Sequence, residues 1–432
     1  MSDLNLSSPG ERIYVTYQWD CAAVDAMKAA LVIAGEQSSG TFVPVPGETE
    51  LLKARHAARV EALELTDESP GITLPGAQTG PLRRYRMVLS WPIETMGPSL
   101  PNLLATIAGN LFELPQVAGL KILDIILPPS FAAVYPGPQF GISGSLRLAG
   151  HKAGPLIGTI IKPSVGLSPE ATAQLVDTLC AVGIDFIKDD ELQADGPHCP
   201  FEARARAVME VVHRHADRLG HKVMVAFNLT GELDEMRRRH DLVQSLGGTC
   251  VMLSLNSVGL TGFTAFRREA ALPIHAHRNG WGSLGRSENN GWSYVAWQKL
   301  WRLAGADQMH VNGLDNKFFE SDDRVIASAR ACTTPLFATK PCTVLPVFSS
   351  GQTVFQVPAT FAAMGNVDLL FCAGGGIMAH PGGIKAGVSA MRQAWEATLA
   401  GEQLVKAART HAALREAMQY FDFNRSNKCA GE

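Results

Sequence analysis

The chain has 432 residues, with 38 basic against 41 acidic side chains and a formal net charge of −3. That balance leaves no basic stripe for nucleic acid and no basic amphipathic helix for a membrane surface, and the length exceeds one ordinary core, so two domains are expected. No apolar run reaches the ~18 residues a bilayer crossing needs, and the start at Met1–Arg12 is too polar for a signal or transit peptide. Eight scattered cysteines without a CxxC pair read as buried free thiols. Together these predict a cytoplasmic protein.

Residues 1–140 mix both element types. Arg12–Tyr17 is strand-like, Ala22–Ala34 has helical period, Tyr85–Trp91 is a second strand, Pro101–Phe112 a second helix and Gly119–Ile126 a further strand. Proline punctuation at Pro128-Pro129 and at Pro136-Gly137-Pro138 marks a boundary. Beyond it, strand and helix alternate. The expected strands are Pro155–Lys162, Phe186–Glu191, Val223–Asn228, Cys250–Asn256, Pro273–Arg278, Met309–Gly313, Leu345–Gly351 and Leu369–Gly375, with Pro169–Val182 and Phe201–Leu219 the clearest helices. Eight βα units predict a (β/α)₈ barrel; a doubly wound sheet is the alternative, disfavoured by the lack of an early GxGxxG.

A barrel gathers its chemistry at the C-terminal ends of its strands. Polar or glycine residues fall there on every strand: Lys162; Lys188, Asp190 and Glu191; Asn228; Asn256; His275, His277 and Arg278; His310 and Asn312; Ser349-Ser350-Gly351; and Gly374-Gly375-Gly376. Lys188 and Asp190 share a strand face, Glu191 can join them where the loop begins, and Asp189 points away. Taken alone that cluster suits a buried salt bridge. Among seven other polar strand ends it suits a Mg²⁺ site, with a carbamylated lysine as a further oxygen ligand.

Glycines after the seventh and eighth strands fit a phosphate cradle, since small residues let backbone N–H groups approach an anion. Arg278 offers a fork to a phosphate or carboxylate. His277 and His310 suit hydrogen bonding to substrate oxygens or proton transfer, and Lys162 suits acid–base work. A metal, a phosphate cradle and proton-transfer groups together predict enediolate chemistry on a small phosphorylated substrate.

The runs Gly158–Ser168 (GTIIKPSVGLS), Asp185–Glu191 (DFIKDDE), His275–Arg278 (HAHR), Leu345–Gly351 (LPVFSSG) and Ala373–Pro381 (AGGGIMAHP) resemble the large subunit of RuBisCO. Gly35–Thr41 (GEQSSGT) and Gly109–Phe112 (GNLF) resemble the segments that complete that family's site from a neighbouring subunit. The resemblance implies an α+β ferredoxin-like domain over 1–140 and a (β/α)₈ TIM barrel over 141–432. It implies a homodimer, or an assembly of dimers, with shared active sites. It makes Lys188 the carbamylated ligand of Mg²⁺ beside Asp190 and Glu191, and Lys162 an acid–base group. Glu36, Thr41 and Asn110 would bind substrate, Glu36 and Asn110 reaching across the dimer. His277 would contact substrate, and Arg278 and His310 would hold one phosphate. Ser349, Gly351, Gly374 and Gly375 would bind substrate hydroxyls and a phosphate.

The departures point away from carbon fixation. Ser164 replaces the second lysine of the family's KPK motif, Trp281 a histidine, Phe42 a tryptophan, and the nearest candidate for the mobile-loop lysine is Lys317 in Asp315–Phe318 (DNKF). Asn110 stands where methionine-salvage enolases carry a lysine base. The expectation is a RuBisCO-like, Mg²⁺-dependent lyase that decarboxylates a 3-oxo sugar-acid phosphate. A methylthioribulose-phosphate isomerase or enolase activity, a genuine carboxylase, or a non-catalytic metabolite binder are the alternatives.

Overall fold

The computed structural model describes residues 11–40, 43, 45–150 and 154–429. The chain forms two compact units. The first comprises residues 1–136, 280–303 and 336–340; the second comprises 137–279, 304–335 and 341–432.

The first unit is built on β1 (Arg12–Cys21), β2 (Arg59–Leu65), β3 (Arg83–Pro92) and β4 (Gly119–Ile126), with helices Ala26–Glu36 and Leu100–Ala108 between them. The strand order β4-β1-β3-β2, antiparallel throughout, is the ferredoxin-like arrangement. Along β1 the alternate residues Ile13, Val15, Tyr17 and Trp19 are fully buried, each worth about 1.5–3 kcal/mol in area removed from water. The polar ends of the two aromatics are satisfied: Tyr17 Oη donates to Ile107 O (2.8 Å) and Trp19 Nε1 to Gln116 O (3.1 Å). The first helix begins at Ala26 rather than Ala22 because the Asp25 side chain caps it, accepting from Lys28 N at 3.0 Å. Two strands escaped the pattern reading. β2 is an edge strand with no fully buried residue, and Gly291–Trp292 (β10, after the next five strands in chain order) pairs in parallel with Lys121–Ile122 at the opposite edge.

The second unit is a closed barrel of eight parallel strands: β5 (Leu156–Ile160), β6 (Phe186–Lys188), β7 (Met224–Asn228), β8 (Cys250–Ser254), β9 (Ile274–His277), β11 (Gln308–His310), β12 (Leu345–Phe348) and β13 (Leu370–Cys372), in chain order around the ring. Its interior is filled by Leu156, Phe186, Met224, Ala226, Cys250, Met252, Leu345, Val347, Leu370 and Cys372. Helix Pro169–Ala181 starts on the Ser168 cap, which accepts from Ala171 N at 3.1 Å. Helix Phe201–Leu219 stops at Gly220 in the left-handed region (φ 75°). The seven cysteines whose side chains are described are all buried. Among the described residues, no helix is long and apolar enough to cross a membrane.

Candidate active site

Period-two alternation on β6 sets up the site. Phe186 and Lys188 face the barrel interior, and Lys188 lies level with Ile160 on β5 and Ala226 on β7. Lys188 is 2% exposed. Its Nζ donates to Asp189 O (2.9 Å), lies 3.7 Å from Met252 Sδ and stands 3.7 Å from Glu191 Oε2. Past the strand end, Asp190 Oδ2 accepts from Lys162 Nζ at 2.7 Å, and the same Nζ donates to Ser164 Oγ at 2.7 Å. Burial pushes the Asp190 carboxyl up, but its bonds from Lys162, the Leu192 amide and Ser164 outweigh that and hold it below the usual carboxylate range.

Asn228, fully buried at the end of β7, fixes the backbone of this corner. Its Nδ2 donates to Asp190 O (3.3 Å) and Glu191 O (3.2 Å). Asp189 turns away, as alternation requires. Its Oδ2 accepts from Arg204 Nη2 (3.2 Å) and Asn228 N (3.0 Å).

Across the mouth, His277 Nε2 lies 3.6 Å from Glu191 Oε2, and its ring meets that of His310 edge-on at 5.0 Å. Burial, the Lys188 charge and neighbouring cations and histidines push both imidazoles well below their ordinary range. His310 Nε2 shares a hydrogen bond with Ser349 Oγ. Arg278 engages Glu320 with both ends of its fork, Nη1 donating to Oε1 at 3.2 Å and Nη2 to Oε2. Deeper in the barrel, His275 Nδ1 pairs with Gln308 Oε1 at 3.1 Å, and burial with the Lys188 charge lowers it to about 3.

The glycine loops divide by task. At Gly376 a Cβ would lie 2.3 Å from Gln352 O, so that glycine is required for packing. At Gly375 a Cβ would meet nothing within 4 Å, and at Gly374 its nearest neighbour would be Ile160 Cδ1 at 3.4 Å. Ser350 (φ 72°) and Gly351 (φ 88°) turn the chain through two successive left-handed residues after β12. Lys317 lies against this turn, its N–H on Ser350 O at 3.4 Å.

In the first unit, Gly35 and Gly40 press backbone on backbone; a Cβ on Gly40 would lie 2.7 Å from Gly35 Cα. The same corner brings the end of helix Ala26–Glu36 to the 3₁₀ turn Asn110–Glu113, since a Cβ on Gly109 would meet Gln37 Oε1 at 2.7 Å. Glu36 and Asn110 are therefore neighbours in the fold, both exposed. Thr41 and Phe42 lie outside the described residues.

Both units have known counterparts. A family model described as ribulose bisphosphate carboxylase large chain, catalytic domain, matches residues 141–421, and the corresponding N-terminal domain matches residues 1–131. The chain belongs to the RuBisCO large-chain family. It is 58% identical over 412 residues, 95% of this chain and 99% of the relative, to a 3-oxo-isoapionate-4-phosphate transcarboxylase/hydrolase of Xanthobacter autotrophicus. It is 42% identical over 414 residues, 95% of this chain and 98% of the relative, to a 3-oxo-isoapionate-4-phosphate decarboxylase of Rhizobium rhizogenes. The crystal structure of a rubisco-like protein from Burkholderia fungorum superposes with a TM-score of 0.89 at 45% identity, covering 95% of this chain and 99% of that one. This is a RuBisCO-like enzyme rather than a carbon-fixing carboxylase, and enediolate chemistry fits its group.

The family is generally dependent on Mg²⁺ and a carbamylated lysine. Among the described residues, no cluster of three His, Cys, Asp or Glu side chains could hold a metal, so Asp190 and Glu191 need a third partner. An ammonium is no ligand. Carbamylation of Lys188 Nζ by carbon dioxide would turn it into a third carboxylate-like group beside Glu191, an all-oxygen set of the kind Mg²⁺ takes. With that modification the residues fit the ion.

Sequence reasoning brought Lys162, Lys188, Asp190, Glu191, His277, His310 and Ser349 to one barrel mouth. It missed Glu320, which sits in the loop after β11 outside any motif. It noted Asn228 only as a polar strand end. For Asn228 the signal was a polar residue at the end of a strand whose burial the apolar pattern already implied; Glu320, in a loop, carried no such signal.

Proposed function

We propose that the chain is a Mg²⁺- and carbamyl-lysine-dependent enzyme that breaks the bond to the carboxylate of a 3-oxo sugar-acid phosphate. The observation that carries the reading is the Lys162–Asp190 pair beside the buried Lys188–Glu191 pair, in a chain 58% identical to an enzyme named for 3-oxo-isoapionate-4-phosphate. Bound Mg²⁺ would polarise neighbouring substrate oxygens as a Lewis acid, held by Lys188, Asp190 and Glu191. Lys162 Nζ holds the proton that an enediolate takes up at carbon, and Asp190 and Ser164 aim it. The open backbone at Gly374 and Gly375 receives the phosphate. His277, His310 and Ser349 address the substrate's hydroxyls. The higher identity to the transcarboxylase/hydrolase puts carboxyl transfer with hydrolysis ahead of simple decarboxylation. Glu36 and Asn110, exposed on the first unit, serve a homodimer with shared sites.

Incubation of the protein with 3-oxo-isoapionate-4-phosphate, Mg²⁺ and bicarbonate, followed by ¹³C and ³¹P NMR, tests the reading. Decarboxylation releases one carbon dioxide per turnover, whereas transfer with hydrolysis consumes water and releases none. Turnover that survives Lys188→Ala, or wild-type protein that leaves the substrate untouched, would refute it.

A further inference from the structure

The Arg278–Glu320 pair does more than brace a loop. Both residues are more than nine-tenths buried, at 6% and 7% exposure. Glu320 occupies the two terminal nitrogens of the guanidinium, and it is itself held from the other side. Asn312 Nδ2 donates to Glu320 Oε2 at 2.9 Å, and Asn316 Nδ2 donates to Glu320 O at 3.0 Å. Asn312 sits in the left-handed region (φ 77°), so this loop is set to present that amide.

A phosphate arriving here would meet a guanidinium whose charge is already matched. If it shared Arg278, a dianion and a buried carboxylate would crowd one cation. If it displaced Glu320, it would strand a carboxylate in a site with little water, the costly outcome of breaking a buried pair. A hydroxyl meets neither penalty. The pair lies on the β9–β11 side of the mouth, whereas Gly374 and Gly375 follow β13, three strands round the ring from β9 and two from β11.

We infer that Glu320 is a specificity-determining residue: by matching the charge of Arg278 it makes the β9–β11 side of the mouth a subsite for uncharged hydroxyl groups and restricts the substrate to one phosphate, held at Gly374 and Gly375. This rests on the phosphate cradle proposed above, and it takes from Arg278 the phosphate that the family resemblance assigns to it.

The test compares ribitol 5-phosphate with ribitol 1,5-bisphosphate by calorimetry on the Mg²⁺- and bicarbonate-treated enzyme. Wild type should bind the two within about threefold of each other, and Glu320→Gln should tighten the bisphosphate roughly tenfold or more while leaving the monophosphate within about threefold. A wild type that already prefers the bisphosphate by roughly tenfold, or a Glu320→Gln protein with an unchanged ratio, would overturn the inference. The wild-type comparison decides the matter even if Glu320→Gln does not fold. If wild type binds neither probe, the cradle itself fails and the inference with it.

Discussion

Arg204 Nη2 stands 3.2 Å from Asp189 Oδ2, and both side chains are buried behind the strand whose other face carries Lys188. The same carboxylate oxygen accepts Asn228 N at 3.0 Å, so one ion pair ties the helix Phe201–Leu219 to the strand ends that form the candidate metal corner. Arg204→Met should cost about 3–5 kcal/mol in urea unfolding, because it leaves Asp189 charged and unmatched in the interior. Pairing it with Asp189→Leu should recover a large part of that loss, which a double-mutant cycle measures.

Lys162 is an exposed member of the site, with 43% of its side chain accessible, yet it is pinned by two acceptors at 2.7 Å. Lys162→Met should lower kcat by about 10²–10⁴ with a much smaller change in KM, as expected for loss of a proton donor. Steady-state kinetics on the phosphorylated substrate read this directly. A change confined to KM would assign Lys162 to binding.

His275 gives the fold an acid limit. Its pKa falls from an ordinary 6.5 to about 3, first because it is buried and then because of the Lys188 charge. The unfolded chain therefore binds this proton first. Stability contributed by the neutral ring is complete above about 6.5 and falls as pH drops towards 3, at about 1.4 kcal/mol per pH unit. Urea midpoints of His275→Gln across this window should show a shallower slope than wild type.

Gly375 and Gly376 should separate function from packing. Gly376→Ala drives a methyl to 2.3 Å from Gln352 O and should destabilise the fold, by about 1–3 kcal/mol. Gly375→Ala finds open space, so its melting temperature should stay near wild type while binding of inorganic phosphate weakens. Thermal unfolding and phosphate titration of the two variants check the contrast.

The barrel was legible because each of its strands is a short apolar run that ends in a polar residue or glycine. The strands proved shorter than read where side chains leave the ladder: β6 ends at Lys188 because Asp190 and Glu191 already belong to a loop, whose carbonyls Asn228 holds. Alternation grouped Lys188 with Asp190, adjacency added Glu191, and the polar ends of the other strands lifted the cluster above a salt bridge. Glu320 could not be found so, since it lies in the loop after β11 while its partner Arg278 follows β9, and only folding brings the two together. β10 was equally hidden; two residues carry no period, and Gly291–Trp292 becomes a strand only because the exposed edge of β4 is there to receive it.

That two-residue strand ties the first unit to the timetable of the second. The sheet edge at Lys121–Ile122 has no partner until Gly291–Trp292 has been made, and by then the five barrel strands from Leu156–Ile160 to Ile274–His277 have already been synthesised. A fragment ending at Pro136 would carry the bare edge of β4 into solution, where a second such fragment could pair with it. The amino-terminal sheet is thus first in the chain yet incomplete until five of the eight barrel strands have been made.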